Sequence, residues 1–445
     1  MRILMLLLIA FIINPEKGLC QNASGEYLSP SMRSGSYPAA IDLPKFAVEV
    51  GIVDFGVNLN FTAGDLLKGN QTDNLRLLSQ NRDYIILRDN FSSNLFAVTV
   101  GKKNYHSVFG IGLRQVGDLS IDRNLIQIAT VGFPVNSQGS YININTGVNA
   151  SADLYSSIFF GISKKLGKNS VGLRVNYNSL IVGTSFETDE FNFSRVSTAD
   201  TNYIGLKYKA GLQSYGFQYL PQLLLGNLSG VPLISSNGRL SIDFGFEQQL
   251  KEYFRFGMSF KNVWLNRNFG AITRQTWSGD ASFSGANYII GSDSMSNVVS
   301  DIVNYDVNSF LPVISTEDSE YIISSPTSMK VYFTTRLNSQ SKLIVSNNVT
   351  WHPHRQDYTL TGFVYNKPNK ILHVGYGINW WLNYNIMDLN LATKILFSPY
   401  SRLSVGFNNP LNIPRFSGGI SILEGFSGAN IFVGLSFGKY VEKDF

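Results

Sequence analysis

The sequence predicts an all-β fold: a single antiparallel transmembrane β-barrel of about 14 strands, at roughly 10 residues per crossing, with short helical inserts. Three observations predict it. Charged residues make up only 15% of the 445 residues, against 13% aromatic, a charge content well under the ~25% usual in soluble domains. After residue 13 no run approaches the ~18 consecutive apolar residues that a membrane helix needs. Apolar and small or polar residues instead alternate in paired segments joined by polar turns. A closed barrel reconciles the three, because alternate residues face lipid and no long apolar run accumulates.

The N-terminus reads as an export signal. Met1-Arg2 precedes the apolar run Ile3 to Ile13, Asn14-Pro15 breaks it, and cleavage is expected after Cys20. Residues 1–20 are therefore assigned to a cleaved signal peptide and 21–445 to one barrel domain. A lipid-modified Cys20 would need a small residue before it, and Leu19 is not small. Cys20 is the only cysteine, so the mature chain has no disulfide, thiolate metal site or cysteine nucleophile. Freedom from disulfides points to a bacterial envelope protein rather than a secreted eukaryotic one. The net charge of +5 and pI of 9.0 come from scattered Lys and Arg, with no basic run and no nucleic-acid motif.

The strands can be read in order. Val53, Phe55, Val57, Leu59 and Phe61 alternate with Asp54, Gly56, Asn58 and Asn60. Phe96, Val98 and Val100 lead into the turn 101–104, and Phe109, Ile111 and Leu113 return opposite Gly110, Gly112 and Arg114. Ile158, Phe160 and Ile162 lead to the turn 164–170, after which Val171, Leu173, Val175 and Tyr177 oppose Gly172, Arg174, Asn176 and Asn178. Leu240, Ile242, Phe244 and Phe246 oppose Ser241, Asp243, Gly245 and Glu247. Past 248–253, Phe254, Phe256, Met258 and Phe260 oppose Arg255, Gly257, Ser259 and Lys261. Further strands are expected at 329–337, 343–351, 358–365, 371–381, 387–397, 401–408, 416–424 and 430–441.

The last of these poses the question of which face is the core. In "NIFVGLSFG", Ile431, Val433, Leu435 and Phe437 share one side, and Phe432, Gly434, Ser436 and Gly438 the other. A soluble sandwich would bury the bulky side, whereas a membrane barrel turns it to lipid. The bulky sides are nearly free of charge, and no linker divides the chain, so a barrel is expected. Arg114, Arg174, Asn176, Asp243, Glu247, Arg255 and Lys261 are then the candidate lumen-facing residues. Trp380 and Trp381 are candidates for an aromatic girdle at the membrane boundary.

Three stretches depart from the two-residue period. Residues 65–82 contain helix formers. Met295, Val298, Val299, Ile302 and Val303 recur at helical spacing. The apolar, proline-containing segment 216–238 is expected to fold over or into the barrel. Catalytic chemistry is not predicted: of His106, His352, His354 and His373, the pair in "WHPHR" (351–355) lacks a carboxylate cluster and reads as a turn at a strand end. His106, beside a lysine-rich turn, is expected to be exposed. There is no Gly-x-Ser-x-Gly elbow, phosphate loop or dinucleotide fingerprint, so neither enzyme nor cofactor is expected.

Three stretches carry a family likeness: "SYPAAIDLPKFAVEVGIVDFGVNLNFTAGDLL" (36–67), "NGRLSIDFGFEQQLKEYFRFGMSFKNVWLNRN" (237–268) and "SSPTSMKVYFTTRL" (324–337), the last followed by paired glycine-rich strands. In these the chain resembles outer-membrane barrels of Bacteroidota grouped as a domain of unknown function. Their architecture is similar to that of FadL-like long-chain fatty-acid transporters and, more distantly, of the PorV and PorP barrels of type IX secretion. In the transporter branch the N-terminal segment forms a hatch; Tyr37 stands where its "NPA" motif has asparagine. The resemblance implies a Gram-negative outer membrane, lipid around the barrel and one of two functions. One is transport of a small hydrophobic or amphipathic ligand past a plugged lumen. The other is a non-transporting scaffold that holds envelope proteins, which paired lumenal charges would favour.

Overall fold

The computed structural model describes residues 29–39, 44–59, 83–102, 104–131, 141–197, 202–219, 237–285, 313–352, 356–369, 371–383, 386–398, 400–409 and 428–438, with a few positions between 221 and 235. The expected signal segment 1–20, the helical stretches 65–82 and 295–303, and the strand at 416–424 lie outside these residues.

A short helix α1 (Pro30–Ser36) precedes β1 (Phe46–Leu59), β2 (Tyr84–Lys102) and β3 (Tyr105–Asp122). Helix α2 (Arg123–Val131) follows, at a place where sequence periodicity predicted none. Asp122 Oδ1 accepts from the Asn124 amide at 2.7 Å and caps it. Then come β4 (Tyr141–Asn145), β5 (Val148–Leu166), β6 (Asn169–Ser197), β7 (Asn202–Tyr215), β8 (Arg239–Lys251), β9 (Phe254–Trp264), β10 (Asn268–Gly285) and β11 (Val313–Ile322). The series ends with β12 (Thr327–Arg336), β13 (Ser341–Trp351), β14 (Gln356–Asn366), β15 (Leu372–Trp381), β16 (Ile386–Ser398), β17 (Ser401–Asn409) and β18 (Gly428–Phe437).

All pairings are antiparallel, and the sheet closes where β1 meets both β2 and β18. Going round, β1, β2, β3, β5, β6, β8, β9, β12, β13, β14, β15, β16, β17 and β18 form the 14-stranded ring. The remaining strands lengthen that ring towards one end. There β7, β10 and β11 continue the lines of β8, β9 and β12, and β4 continues that of β5 along β6. The 29 residues of β6 are about three times one crossing, so its half beyond residue 183 stands clear of the bilayer. The opposite end carries the tight hairpins, such as Leu166↔Asn169 around Gly167 at φ +64°, where a residue without Cβ meets no penalty.

The question of the faces is answered by burial. Ile431 and Phe437 are 47% and 43% exposed, while Phe432 is fully buried. The same inversion holds on β2, β3, β5 and β6, where Phe96, Phe109, Phe160 and Leu173 are exposed and Asn94, Asp153 and Arg174 are buried. Bulky side chains look outward and polar ones inward, as lipid on the outside requires.

Candidate functional site

Of the seven candidate lumen residues, Arg174, Asn176, Asp243 and Glu247 are buried and Arg114, Arg255 and Lys261 are half-buried. The most connected is Arg174 on β6, 1% exposed. Its Nε donates to Asn176 Oδ1 at 2.8 Å and lies 3.6 Å from Asp243 Oδ2. Asn176 Nδ2 donates to the same carboxylate at 3.1 Å, and the guanidinium carbon lies 3.8 Å from the centroid of the Phe159 ring. Glu247 pairs with Arg255 at 3.3 Å and accepts from Tyr332 Oη at 3.1 Å. Lys261 lies across from Ser328 and Arg114 across from Tyr155, both half-buried. These charges are mixed in sign, and the pairing of Arg174 with Asp243 and of Arg255 with Glu247 offsets the cost of burying them.

The turn-side half of the lumen holds α1. A carboxylate from the wall, Glu49 on β1, accepts from Ser29 Oγ and from the Ser31 amide, both at 2.7 Å. Asn94 Nδ2 reaches Ser31 Oγ at 2.7 Å, Arg174 Nη1 donates to the Ser31 carbonyl at 3.0 Å, and Ser259 Oγ donates to the Ser36 carbonyl at 2.8 Å. Beyond the helix, Tyr37 packs edge-on against Tyr332 with centroids 4.7 Å apart, under Lys330 Nζ. Gly172 explains how the chain fits, since a Cβ there would stand 1.7 Å from the Pro38 carbonyl oxygen. The N-terminal segment is thus a plug, and its fasteners are mainly polar.

Elsewhere the lumen is packed. Ile52, Ile344, Phe363, Tyr365, Ala392 and Phe432 meet as one apolar cluster drawn from β1, β13, β14, β16 and β18. Arg88 on β2 pairs with Asp357 on β14 at 3.1 Å, although β1, β18, β17, β16 and β15 lie between these strands on that side of the ring. His352 Nε2 sits 2.9 Å from the same carboxylate.

The wall itself is interrupted at one level in three successive lines. Gly183 of β6 pairs with Tyr215 of β7 and Asn178 with Arg239 of β8, which leaves 179–182 without a paired strand on that side among the described residues. The next line breaks between Trp264 and Asn268, and the third between Ile322 and Thr327. An aromatic cluster fills the level of the break: Tyr155, Leu180, Phe269, Tyr321 and Ile323 are buried, with Tyr215, Trp264 and Ile272 against them. Asp153 holds the third break inward, accepting from Tyr321 Oη at 2.6 Å, from the Ser324 amide at 2.8 Å and from Ser324 Oγ. Asn262 holds it from the other side, its Nδ2 donating to Ser325 Oγ at 2.8 Å and to the Pro326 carbonyl at 2.9 Å. It adopts φ +59°, a region asparagine tolerates better than most residues. The Asn262 amide donates to Asp243 at 2.6 Å. A continuous polar path therefore runs from the plug through Arg174, Asp243 and Asn262 to the break.

Segment 216–238, expected over or into the barrel, lies over it where described. Ile181 and Val182 share one side of β6 because a bulge adds a residue opposite Leu154 and Tyr155. On that outward side they pack with Val231, Leu113, Leu154, Tyr219 and Leu233. Ser179 Oγ accepts from the Ser235 amide at 3.0 Å, and Tyr177 Oη donates to its carbonyl.

Two sequence expectations need correction. Trp381, read as a girdle residue beside Trp380, is fully buried on the inward face; successive residues of a strand point to opposite sides, so only Trp380 shares the outward side of Tyr376 and Ile378. His106 is buried rather than exposed, because a Cβ at Gly101 would touch its ring and the missing one makes room. Sequence reasoning also missed Glu49, Asp153, Tyr321, Arg88 and Asp357. Glu49 was legible: in "FAVEV" it shares a side with Ala47, opposite Phe46, Val48 and Val50. Partners more than a hundred residues apart, such as Asp153 and Tyr321, leave no local signal. Among the described residues no group of three His, Cys, Asp or Glu side chains is placed to hold a metal ion.

Solved structures similar to this chain include the toluene transporter TbuX of Ralstonia pickettii, at 10% identity and TM-score 0.45, covering 96% of this chain and 97% of that one. A FadL homologue of Pseudomonas aeruginosa matches at 7% identity and TM-score 0.42, covering 96% and 100%. The toluene transporter TodX of Pseudomonas putida matches at 8% and 0.38, covering 95% of each chain. No curated protein matches the sequence. The pattern of one family, the family of unknown function DUF5723, matches residues 36–400, most of the chain, and the protein belongs to that family.

Proposed function

We propose that this protein is a bacterial outer-membrane barrel that passes a small hydrophobic or amphipathic compound, and that the compound crosses the wall sideways. The observation that carries the reading is the coincidence of a three-line wall break with the aromatic cluster of Tyr155, Tyr215, Trp264, Phe269 and Tyr321. Aromatic and aliphatic side chains where the wall leaves the lipid band offer an apolar solute a path that water and ions are denied. A plug fastened across the turn-side half and an apolar cluster elsewhere in the lumen oppose straight axial flow.

Uptake of a radiolabelled long-chain fatty acid, and separately of toluene, into cells carrying the barrel tests this. Trp264→Ala widens the path and should raise uptake, whereas Leu180→Trp narrows it and should lower uptake several-fold. Uptake of both probes that is the same with and without the barrel sinks the reading.

One observation favours the scaffold reading instead: Arg174, Asp243, Glu247, Arg255, Arg88 and Asp357 are paired within the lumen. Purification from native membranes in mild detergent separates the two. A stoichiometric envelope protein that comes with the barrel supports the scaffold; a defined lipid or fatty acid supports transport.

A further inference from the structure

The extended wall at the loop end mixes its charges, with Asp189, Glu190 and Glu317 paired to Lys207, Lys209 and Arg274. At the short-turn end several lysines stand together on one arc. The β2–β3, β5–β6 and β8–β9 turns are neighbours around the ring. They are tied side by side where the Lys165 amide donates to the Asn104 carbonyl at 2.9 Å and the Gln249 amide to the Lys168 carbonyl at 2.8 Å.

This arc presents Lys102, Lys164, Lys165, Lys168 and Lys251, and the one carboxylate among the described residues of its turns is Glu252. The neighbouring Glu247 is already committed to Arg255 and Tyr332 in the lumen. Exposed apolar side chains are interleaved with the lysines: Tyr105 and Tyr253 are each 54% exposed and Leu166 is 48% exposed. Lys164 shares the outward side of Phe160 and Ile162, and its ammonium lies 5.1 Å from the centroid of the Tyr105 ring. An ammonium on a long stem beside a half-wet tyrosine, directly below an apolar band, reaches the level of lipid phosphates.

We infer that this arc is a binding surface for the anionic head groups of phospholipids in the turn-side leaflet. Charge complementarity selects the occupant. Several lysines on neighbouring turns, flanked by rings and aliphatic side chains at the edge of the lipid-facing band, match a phosphate layer over acyl chains better than a free anion, which would need no apolar neighbours.

The inference rests on the membrane-barrel reading, and the experiment keeps the two apart. Wild type and the Lys164→Gln/Lys168→Gln/Lys251→Gln variant are reconstituted into bilayer discs of phosphatidylcholine, alone or with a minority of phosphatidylglycerol. Lipids retained after transfer to mild detergent are then counted by native mass spectrometry. Wild type is expected to retain phosphatidylglycerol in preference, with the preference falling roughly five-fold per lysine removed. The matching Lys→Arg triple variant should keep the preference, which guards against a fold defect. Equal retention of the two lipids by wild type, or displacement of phosphatidylglycerol by polyglutamate at equal charge, overturns the head-group site. A chain that inserts into neither bilayer overturns the membrane reading itself.

Discussion

Gly183 shows how much rests on one missing side chain. A Cβ there would stand 2.5 Å from the Tyr321 ring, and Tyr321 is the residue that ties the third wall break to Asp153. Gly183→Val is expected to destabilise the fold by about 1–3 kcal/mol through overpacking, read as a lower urea midpoint in detergent; an unchanged midpoint would mean the ring is free to move. Phe363, buried in the lumen's apolar cluster, should cost more, about 3–5 kcal/mol on truncation to Ala. Outside the bilayer, Glu190 lies 2.9 Å from Lys207 Nζ. The hydrogen bond from Lys207 holds its carboxyl below the ordinary range. A depressed carboxylate contributes stability above its unfolded-state pKa and loses it as pH falls through the folded value. Lys207→Met should therefore move the Glu190 titration upward in an NMR pH series.

At the scale of elements, the plug is the part built to be tested alone. Its seven-residue helix is too short to persist by itself, so it stands on contacts from the wall. Glu49→Ala removes the acceptor for two donors at the start of α1. With each charged hydrogen bond contributing about 1.5–3 kcal/mol, amide exchange over 29–36 should accelerate at least ten-fold while β1 and β2 keep their protection. Unchanged exchange would assign the hold to Tyr37 and Tyr332 instead. The polar path from Arg174 to Ser325 makes a second prediction at this scale. Arg174→Met and Ser325→Ala should be non-additive in stability by roughly 0.5–2 kcal/mol; strict additivity would mean that plug and break are independent.

For the molecule as a whole, the alternation that sets the faces also sets the sign of every surface substitution. An arginine at Val433, midway along β18 and facing lipid, should impair folding into bilayers by about 2–4 kcal/mol near the midplane. The same change at Ser436 meets the lumen and its cost is steric rather than dielectric.

The two-residue period, the low charge and the tight polar turns were sufficient for the barrel class, the strand number and the side on which Arg174, Asp243 and Glu247 fall, because these depend on neighbours along the chain. Where the lines of the wall break, and that Trp381 and His106 are buried, depend on pairings between distant strands, and no local period records them. The union of Glu49 with α1, of Asp153 with Tyr321 and of Arg88 with Asp357 was likewise decided only by closure of the ring. Closure brings together side chains as distant in sequence as Ile52 and Phe432, and a buried charge must then find its counterpart wherever the chain has placed it.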